Sequence, residues 1–323
     1  MITPRKPMIA LRRLHRFFGK TRAVNDVSFE VYQGQVFGYI GPNGAGKTTS
    51  MRILATLDVP TAGDALVDGF SVINDPDRVR RRLGFMPDYF GTYPNVNCEE
   101  YLDFFARAYG LVGRERHQAV QHTMQFTGLD VLKEKPISGL SKGMKQRLCL
   151  GRSMVHDPGV LILDEPAAGL DPRARIELRE MIGQLAADGK TCLVSSHILT
   201  ELAEMCDIVG IIEQGQLLAV GTVDEIQHGS AHDPDGNVIH EKVALLRTLD
   251  RTLELVQWLE ARDDVGKVVP DGELISFTHW HDRAWEADML KEMIDAGFRI
   301  AAFSGKEKSL EDVFLQVTRG RVQ

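Results

Sequence analysis

The sequence has no long apolar run. Its greasiest segments, VLILDEP and GIIEQGQLLAV, are short and broken by acids, far from the roughly eighteen uninterrupted apolar residues that a bilayer helix needs. A chain without a membrane-spanning segment is therefore expected. Cysteine is scarce: Cys98, Cys149, Cys192 and Cys206 keep neither metal-ligand nor disulfide spacing and lie inside apolar segments, so they read as reduced core side chains. A basic excess is missing too. The net charge of -7 lacks the electrostatic footprint of a nucleic-acid binder, and nucleic acid is not an expected partner. The start, MITPRKPMIALRRLHRFFGK, has no apolar h-region and no small-residue cleavage site, which makes the cytoplasm the expected compartment. With 43% hydrophobic and 26% charged residues, disordered, fibrous and disulfide-scaffold classes are excluded.

What is present is a folded chain of 323 residues, a length that suggests two domains. From His228 onward there are 18 acidic against 12 basic residues, and before it 27 against 26, so the acidity belongs to the C-terminal part. The first 22 residues carry seven basic residues and no acid (Arg5, Lys6, Arg12, Arg13, Arg16, Lys20, Arg22). Such a run is more often one solvated face of a strand than a lipid-binding surface.

MIALRRLHRFF, AVNDVSFEV and QVFGYIG are rich in Val, Ile, Phe and Tyr and separated by turn residues, which predicts three strands. MRILATLDV is a helical pattern and GDALVDGFSV a hairpin. Residues 88–156 read as a helical insertion, with a capping box from Asn97 to Glu100 and an apolar face of Tyr101, Leu102, Phe104, Phe105 and Ala108. VLILDEP, TCLVSSH and IVGIIE are continuous apolar runs of the kind a parallel sheet buries on both faces, alternating with helices over 173–187 and 198–205. The polar, turn-rich HGSAHDPDGNVIH places a linker at 228–240 between a first domain, 1–227, and an accessory domain, 241–323. In that domain KVALLR, RTLELVQWLEA, VGKVV, LISFTHW, a helix over 282–296 and FRIAAF give the order βαββαβ, the split-βαβ or ferredoxin-like pattern, followed by a short helix SLEDVFLQVT.

Chemistry gathers in the first domain. GPNGAGKT, Gly41 to Thr48, fits Gly, four residues, Gly, Lys, then Ser or Thr, set between a strand and a helix. That geometry aims successive backbone N–H groups and the positive helix end at phosphate oxygens. Gly41, Pro42, Asn43, Gly44, Ala45, Gly46, Lys47, Thr48 and Thr49 are the expected nucleotide contacts, Lys47 on β- and γ-phosphate oxygens and the Thr48 hydroxyl on Mg²⁺. A turn that merely joins strand to helix does not explain the lysine and threonine. Asp164 and Glu165 end a buried strand; the first is expected to hold Mg²⁺ through water, the second to orient or deprotonate an attacking water. A lone histidine is more often a satisfied surface or core residue, but His197 lies at the carboxyl end of another parallel strand, where α/β ligand sites gather.

The ordered set GPNGAGKTT, LSKGMKQR (140–147), VLILDEP (160–166), AAGLDP (167–172) and SSH (195–197) resembles the ATP-binding cassette ATPases over residues 8–227, and within them the ATPases of bacterial exporters of the daunorubicin-resistance type, which close on a phrase like SLEDVFL. The resemblance implies a P-loop NTPase cassette: a mixed, mostly parallel sheet, an antiparallel β subdomain and a helical subdomain. It implies ATP and Mg²⁺ as cofactors and a head-to-tail sandwich with a second copy or a paralogous cassette. It also implies a separate membrane-spanning permease contacted by the helical insertion, and a place at the inner face of the membrane. By the same resemblance Phe18 stacks on adenine, Ser141 and Gly143 of the signature cap the γ-phosphate held by the partner, Asp171 crosses the interface, and His197 is the switch histidine.

Three departures stand out. The signature is LSKGM where LSGGQ is commonest, which adds Lys142; the adenine stacker is Phe rather than Tyr; and the metal-contacting Q-loop glutamine is Asp88, shorter and charged. A cassette ATPase that drives no transport is the alternative. Repair-type members carry a long coiled coil, but only 116 residues separate Lys47 from Asp164, without sustained heptads; translation-type members usually hold two phosphate loops, and this chain has one. A nucleotide-sensing module without turnover is disfavoured by Glu165 and His197. His279 and His281 beside Trp280, and His228, His232 and His240, lack carboxylate or cysteine company at metal spacing. Trp285, Met289 and Met293, with Leu290 and Ile294, read as the buried side of a helix.

Overall fold

The computed structural model describes residues 6–89, 91, 95–228, 231–232, 238–239 and 242–306. Contacts divide the chain into two compact units, Met1–Thr222 and Val223–Gln323.

The first unit opens with a hairpin of β1 (Pro7–Phe18) and β2 (Thr21–Tyr32), then β3 (Val36–Ile40) and α1 (Lys47–Leu54). β4 (Ala62–Val67) and β5 (Phe70–Ser71) form the expected second hairpin, followed by α2 (Pro76–Arg82) and β6 (Leu83–Met86). The helical insertion supplies α3 (Cys98–Ala108), α4 (Gly113–Phe126) and α5 (Lys142–Met154). β7 (Val160–Leu163), α6 (Pro172–Ala187), β8 (Thr191–Ser196), α7 (Leu199–Ala203), β9 (Ile208–Glu213) and β10 (Gln216–Thr222) complete it.

An antiparallel sheet of order β2-β1-β4-β5 packs on a mixed sheet of order β10-β9-β3-β8-β7-β6, which is parallel except for β10. β3, β7 and β8 are buried at every residue, which is why they show no alternation of apolar and polar residues. Phe29 of the first sheet stacks on Phe37 of the second with ring centroids 4.7 Å apart. Register places the site: Ile40 lies beside Ser196 and Leu163 beside Val194. The segments after β3, β7 and β8 therefore leave the sheet at one edge, its carboxyl end.

The capping box of α3 is present: the Asn97 side chain accepts from the Glu100 N–H at 2.8 Å, and Glu100 Oε2 accepts from the Asn97 N–H at 3.0 Å. Its apolar face differs from expectation. Cys98, Tyr101, Leu102 and Ala106 are buried, whereas Phe104 is 56% exposed and Ala108 is exposed, because at 3.6 residues per turn both fall outside the arc that the other four share.

In the second unit, α8 (Val223–His228) comes first, and a short pair, β11 (Ala231–His232) with β12 (Val238–Ile239), lies within the segment expected as linker. Then follow β13 (Lys242–Thr248), α9 (Thr252–Glu260), β14 (Val268–Asp271), β15 (Leu274–His279), α10 (Arg283–Asp295) and β16 (Ile300–Lys306). The sheet order β14-β15-β13-β16, antiparallel throughout, is that of a split βαβ unit. On α10, Met289 and Met293 are buried with Trp285 and Leu290 packed against them; Ile294 is 54% exposed, off the buried arc, against expectation. The expected helix at SLEDVFLQVT lies outside the described residues. Among the described residues no helix is long and apolar enough to cross a membrane.

Candidate functional site

The loop between β3 and α1 is shaped by the protein's own backbone. At Gly46, with φ +108°, a Cβ would stand 2.3 Å from the Ala23 carbonyl oxygen of β2; at Gly41 it would stand 2.3 Å from the Ile212 carbonyl oxygen of β9. Only glycine fits either place. Gly44, at φ +82°, has nothing within 4 Å and faces open space. Helix α1 has no side-chain N-cap and no acid in its first turn, so its leading N–H groups and positive end are left for an anion. Pro42, Asn43, Gly44 and Thr48 are exposed along the rim, Ala45 and Lys47 are buried beneath it, and Thr49 is half-buried. The Lys47 ammonium lies 2.5 Å from the Gly41 carbonyl oxygen, 3.4 Å from that of Pro42 and 3.5 Å from Glu165 Oε1.

The carboxylates meet this lysine from the end of β7. Asp164 is buried; its Oδ1 accepts from the Ser195 hydroxyl at 2.7 Å, and the Thr48 hydroxyl is near enough to act on its charge. Burial pushes the Asp164 carboxyl above its ordinary range and the nearby Glu165 and Asp88 carboxylates add to this, while the two hydroxyls pull the other way. Glu165 sits at φ +50°, a left-handed conformation costing about 1–2 kcal/mol in a non-glycine residue. That strain aims the side chain: Oε2 meets His197 Nδ1 at 2.8 Å and Oε1 faces Lys47. Because a carboxylate accepts, His197 donates from Nδ1 and turns Nε2 outward. His197 is 49% exposed at its side chain and Glu165 13%.

Ser195 was not singled out from sequence. Fully buried, it accepts from the Glu165 N–H at 2.8 Å and donates to Asp164, clamping both carboxyl-bearing residues to β8. The signal was there: a serine pair inside TCLVSS, a run otherwise fit for a strand buried on both faces.

Lys47, Thr48, Asp88, Asp164, Glu165 and His197 thus converge. Asp88, exposed just past β6, is near enough for its charge to act on Asp164. Thr48 and Asp164 suit a hard cation that keeps water and phosphate oxygens as its other ligands. Among the described residues no group of three or more His, Cys, Asp or Glu is placed to hold a metal unaided.

The remaining expected residues stand elsewhere on the unit. Phe18, 49% exposed at the tip of the β1–β2 hairpin, has the Arg16 guanidinium 4.3 Å from its ring centroid. Ser141 caps α5 by accepting from the Met144 N–H at 3.3 Å, and Asp171 caps α6 by accepting from the Ala174 N–H at 3.0 Å. The two helix starts share a cavity of about 140 Å³ with Gly143 and Gln146, whose buried Oε1 has no hydrogen-bond partner. A Cβ on Gly143 would touch that of Ala174 at 3.0 Å, and the Lys142 ammonium lies against Gly169. No hydrogen bond or ion pair among the described residues joins Ser141 or Gly143 to the phosphate loop.

Residues 24–168 match the ABC transporter family. The chain is similar to the probable multidrug ABC transporter ATP-binding protein YbhF of Escherichia coli (strain K12), 37% identical over 251 residues, 77% of this chain and 43% of that protein, so it spans less than half the length of that relative. It is also similar to the Nod factor export ATP-binding protein I of Ralstonia nicotianae, 36% identical over 220 residues and 68% of each chain. Among solved structures, an ATP-binding subunit of an ABC transporter superposes with a TM-score of 0.62 at 30% identity, over 68% of this chain and 92% of that one. The phosphate loop and carboxylates that sequence and geometry bring together lie in the region these proteins share, and the chain belongs to the ATP-binding subunits of ATP-binding cassette transporters.

Proposed function

We propose that this chain binds ATP with Mg²⁺ on the loop Gly41–Thr49, hydrolyses it, and uses the cycle to drive a separate membrane-spanning permease, as an exporter. The reading is carried by one observation: Glu165, at the end of a buried strand beside a phosphate loop, is held between Lys47 at 3.5 Å and His197 at 2.8 Å. Lys47 would neutralise β- and γ-phosphate oxygens, Thr48, Asp164 and Asp88 would hold Mg²⁺, which screens phosphate charge when bound, and Glu165 would take a proton from the attacking water. His197, anchored through Nδ1, presents Nε2 to the γ-phosphate. Phe18 would stack on the base. Ser141 and Gly143, apart from the loop in one chain, would complete the site of a second cassette, with Asp171 at the interface.

The names of the similar proteins, multidrug and Nod factor export, favour export. A groove of about 280 Å³ lined by Ala55, Leu57, Leu83, Phe85, Phe105 and Tyr109, together with Arg80, Arg152 and Ser153, suits an amphipathic helix of the permease and lies at β6, whose end leads to Asp88. Such docking would place the chain on the inner face of the membrane. The cassette is proposed to run to about residue 227, with the remainder as accessory domain. The test is ATP turnover by the purified chain with Mg²⁺ and its inhibition by vanadate. Binding of ATP without turnover would replace this reading with that of a nucleotide-sensing module.

A further inference from the structure

Arg175 and Glu201 join two segments that the site needs in a fixed relation. Arg175, one turn into α6, donates from Nε to the Leu170 carbonyl at 3.0 Å and sets a terminal guanidinium nitrogen 3.0 Å from Glu201 Oε1. Leu170 ends the turns that leave Glu165: the Ala168 N–H bonds to the Glu165 carbonyl at 3.1 Å and the Leu170 N–H to the Ala167 carbonyl at 3.2 Å. Glu201 is in α7, four residues past His197. Its Oε2 accepts from the Ser196 hydroxyl at 3.5 Å, and that hydroxyl accepts from the Ile198 N–H at 2.9 Å, so the backbone on both sides of His197 is tied to Glu201. With His197 Nδ1 on Glu165 Oε2, the path closes into a ring.

We propose that the Arg175–Glu201 pair positions the hydrolytic dyad: it couples the start of α6, where Asp171 stands, to the aim of the His197 imidazole at Glu165. Both are positioning residues, since neither touches the phosphate loop. The pair is half sheltered, with Glu201 13% and Arg175 38% exposed at their side chains, and burial raises the Glu201 carboxyl while Arg175 opposes that rise. The guanidinium fork is what the geometry uses, one nitrogen donating to the Leu170 carbonyl and another held 3.0 Å from Glu201 Oε1 by charge rather than by a hydrogen bond. A lysine has a single nitrogen and cannot hold both. A change at the start of α6, such as contact with a second cassette, would thereby reach Glu165.

This inference rests on the reading that Glu165 and His197 hydrolyse ATP, and the experiment separates the two. Arg175→Gln, Glu201→Gln and the double variant are compared with the parent for ATP turnover, and Glu201→Gln is repeated in a Glu165→Gln background. Each single variant is expected to lose about tenfold in kcat with KM for ATP within about twofold, and the double variant to lose no more than the worse single one. In the Glu165→Gln background, Glu201→Gln is expected to change nothing further, because it acts through Glu165. Arg175→Lys, which keeps charge and bulk, is expected to fall between parent and Arg175→Gln, and it serves if a neutral variant fails to fold. Unchanged kcat, a rise in KM that matches the loss, or an equal further loss in the Glu165→Gln background would overturn the proposal. A parent that binds but never hydrolyses ATP would overturn the reading of the site and this coupling with it.

Discussion

A histidine–glutamate pair stands at the carboxyl end of a sheet strand in each unit, and the two are built in opposite ways. His197, just past β8, meets Glu165 at 2.8 Å and is half exposed; His279, the last residue of β15, faces Glu286 at 3.4 Å and is fully buried. The surroundings of His279 are committed to one another. Its Nδ1 accepts from the His281 N–H at 3.3 Å, its ring stacks on Trp285 at 4.7 Å, and Trp285 Nε1 donates to Asp264 at 3.0 Å. Asp264 is in turn held by Arg262, whose guanidinium keeps that carboxyl down at about 2. Around Glu165, groups arrive from the ends of three parallel strands and leave the phosphate-loop side open. The same residue types thus close a core in one unit and open a reaction site in the other, so access and convergence identify function where residue identity does not.

The comparison breaks most sharply under one substitution made twice. Glu165→Gln is expected to lower ATP turnover by about 10²–10⁴-fold while ATP binding persists, since the binding groups remain and only the water-activating carboxylate is lost. Glu286→Gln is expected to leave turnover unchanged. Steady-state kinetics and nucleotide binding on both variants decide it; parent-like turnover in Glu165→Gln would remove Glu165 as the base.

Next in size is the cost of removing each imidazole. His279→Ala empties a stacked, fully buried place and is expected to destabilise the protein by about 2–4 kcal/mol with turnover kept. His197→Ala, at a half-exposed place, is expected to shift stability by no more than about 0.5 kcal/mol and to cost turnover. Denaturant unfolding alongside activity reads both, and a large loss of stability in His197→Ala would erase the contrast.

Much of this was legible in sequence where backbone demands and chemistry coincide. Gly41 and Gly46 stand where no Cβ fits, Lys47 and Thr48 open the helix that follows, and Asp164, Glu165 and His197 stand just past strands buried at every residue, as a parallel sheet demands. Side-chain fate away from such constraints was less legible. Phe104 and Ile294 satisfy an apolar pattern yet face out, because a helix buries only the arc its neighbours cover and the pattern does not say how wide that arc is. Ser195 was hidden for the converse reason: a small hydroxyl reads as neutral in a buried strand until its two carboxyl-bearing neighbours are seen.

A third histidine sharpens the contrast within the first unit. His156 stacks on Tyr109 with ring centroids 3.5 Å apart, and its Nε2 lies 3.3 Å from the Leu83 carbonyl oxygen. Burial pulls its pKa down to about 4, so it is built as His279 is, whose imidazole burial also depresses. With a folded value below the unfolded one of about 6.5, the unfolded chain takes up the proton first as pH falls. The stability that His156 contributes is complete above about pH 6.5 and is lost as pH drops from there through about 4, by at most about 3 kcal/mol. His156→Phe keeps the stack on Tyr109 and removes the titration. Unfolding midpoints at pH 7.5 and 5 should then differ less than in the parent, and an unchanged difference would assign the acid sensitivity elsewhere.

The smallest expected effect is at Asp88, which tests what keeps the Glu165 side of the comparison open. Its carboxylate adds a little to the rise that burial imposes on Asp164, yet it is exposed and past the end of β6, so its weight on the reacting groups is screened. Asp88→Gln removes one charge and lengthens the side chain without disturbing Lys47, Ser195 or the His197 contact. Basal ATP turnover is therefore expected within about twofold of the parent. The change should appear instead when the permease is present, because Leu83 and Phe85 of β6 line the groove where the permease is proposed to dock and Asp88 follows two residues after that strand ends. Turnover measured with and without the reconstituted partner gives the ratio that matters. An altered ratio with basal rate kept would make Asp88 a link between the metal side of the site and the membrane, the Gln amide oxygen serving the metal in its place; loss of ATP binding together with all turnover would show that the site needs the carboxylate itself.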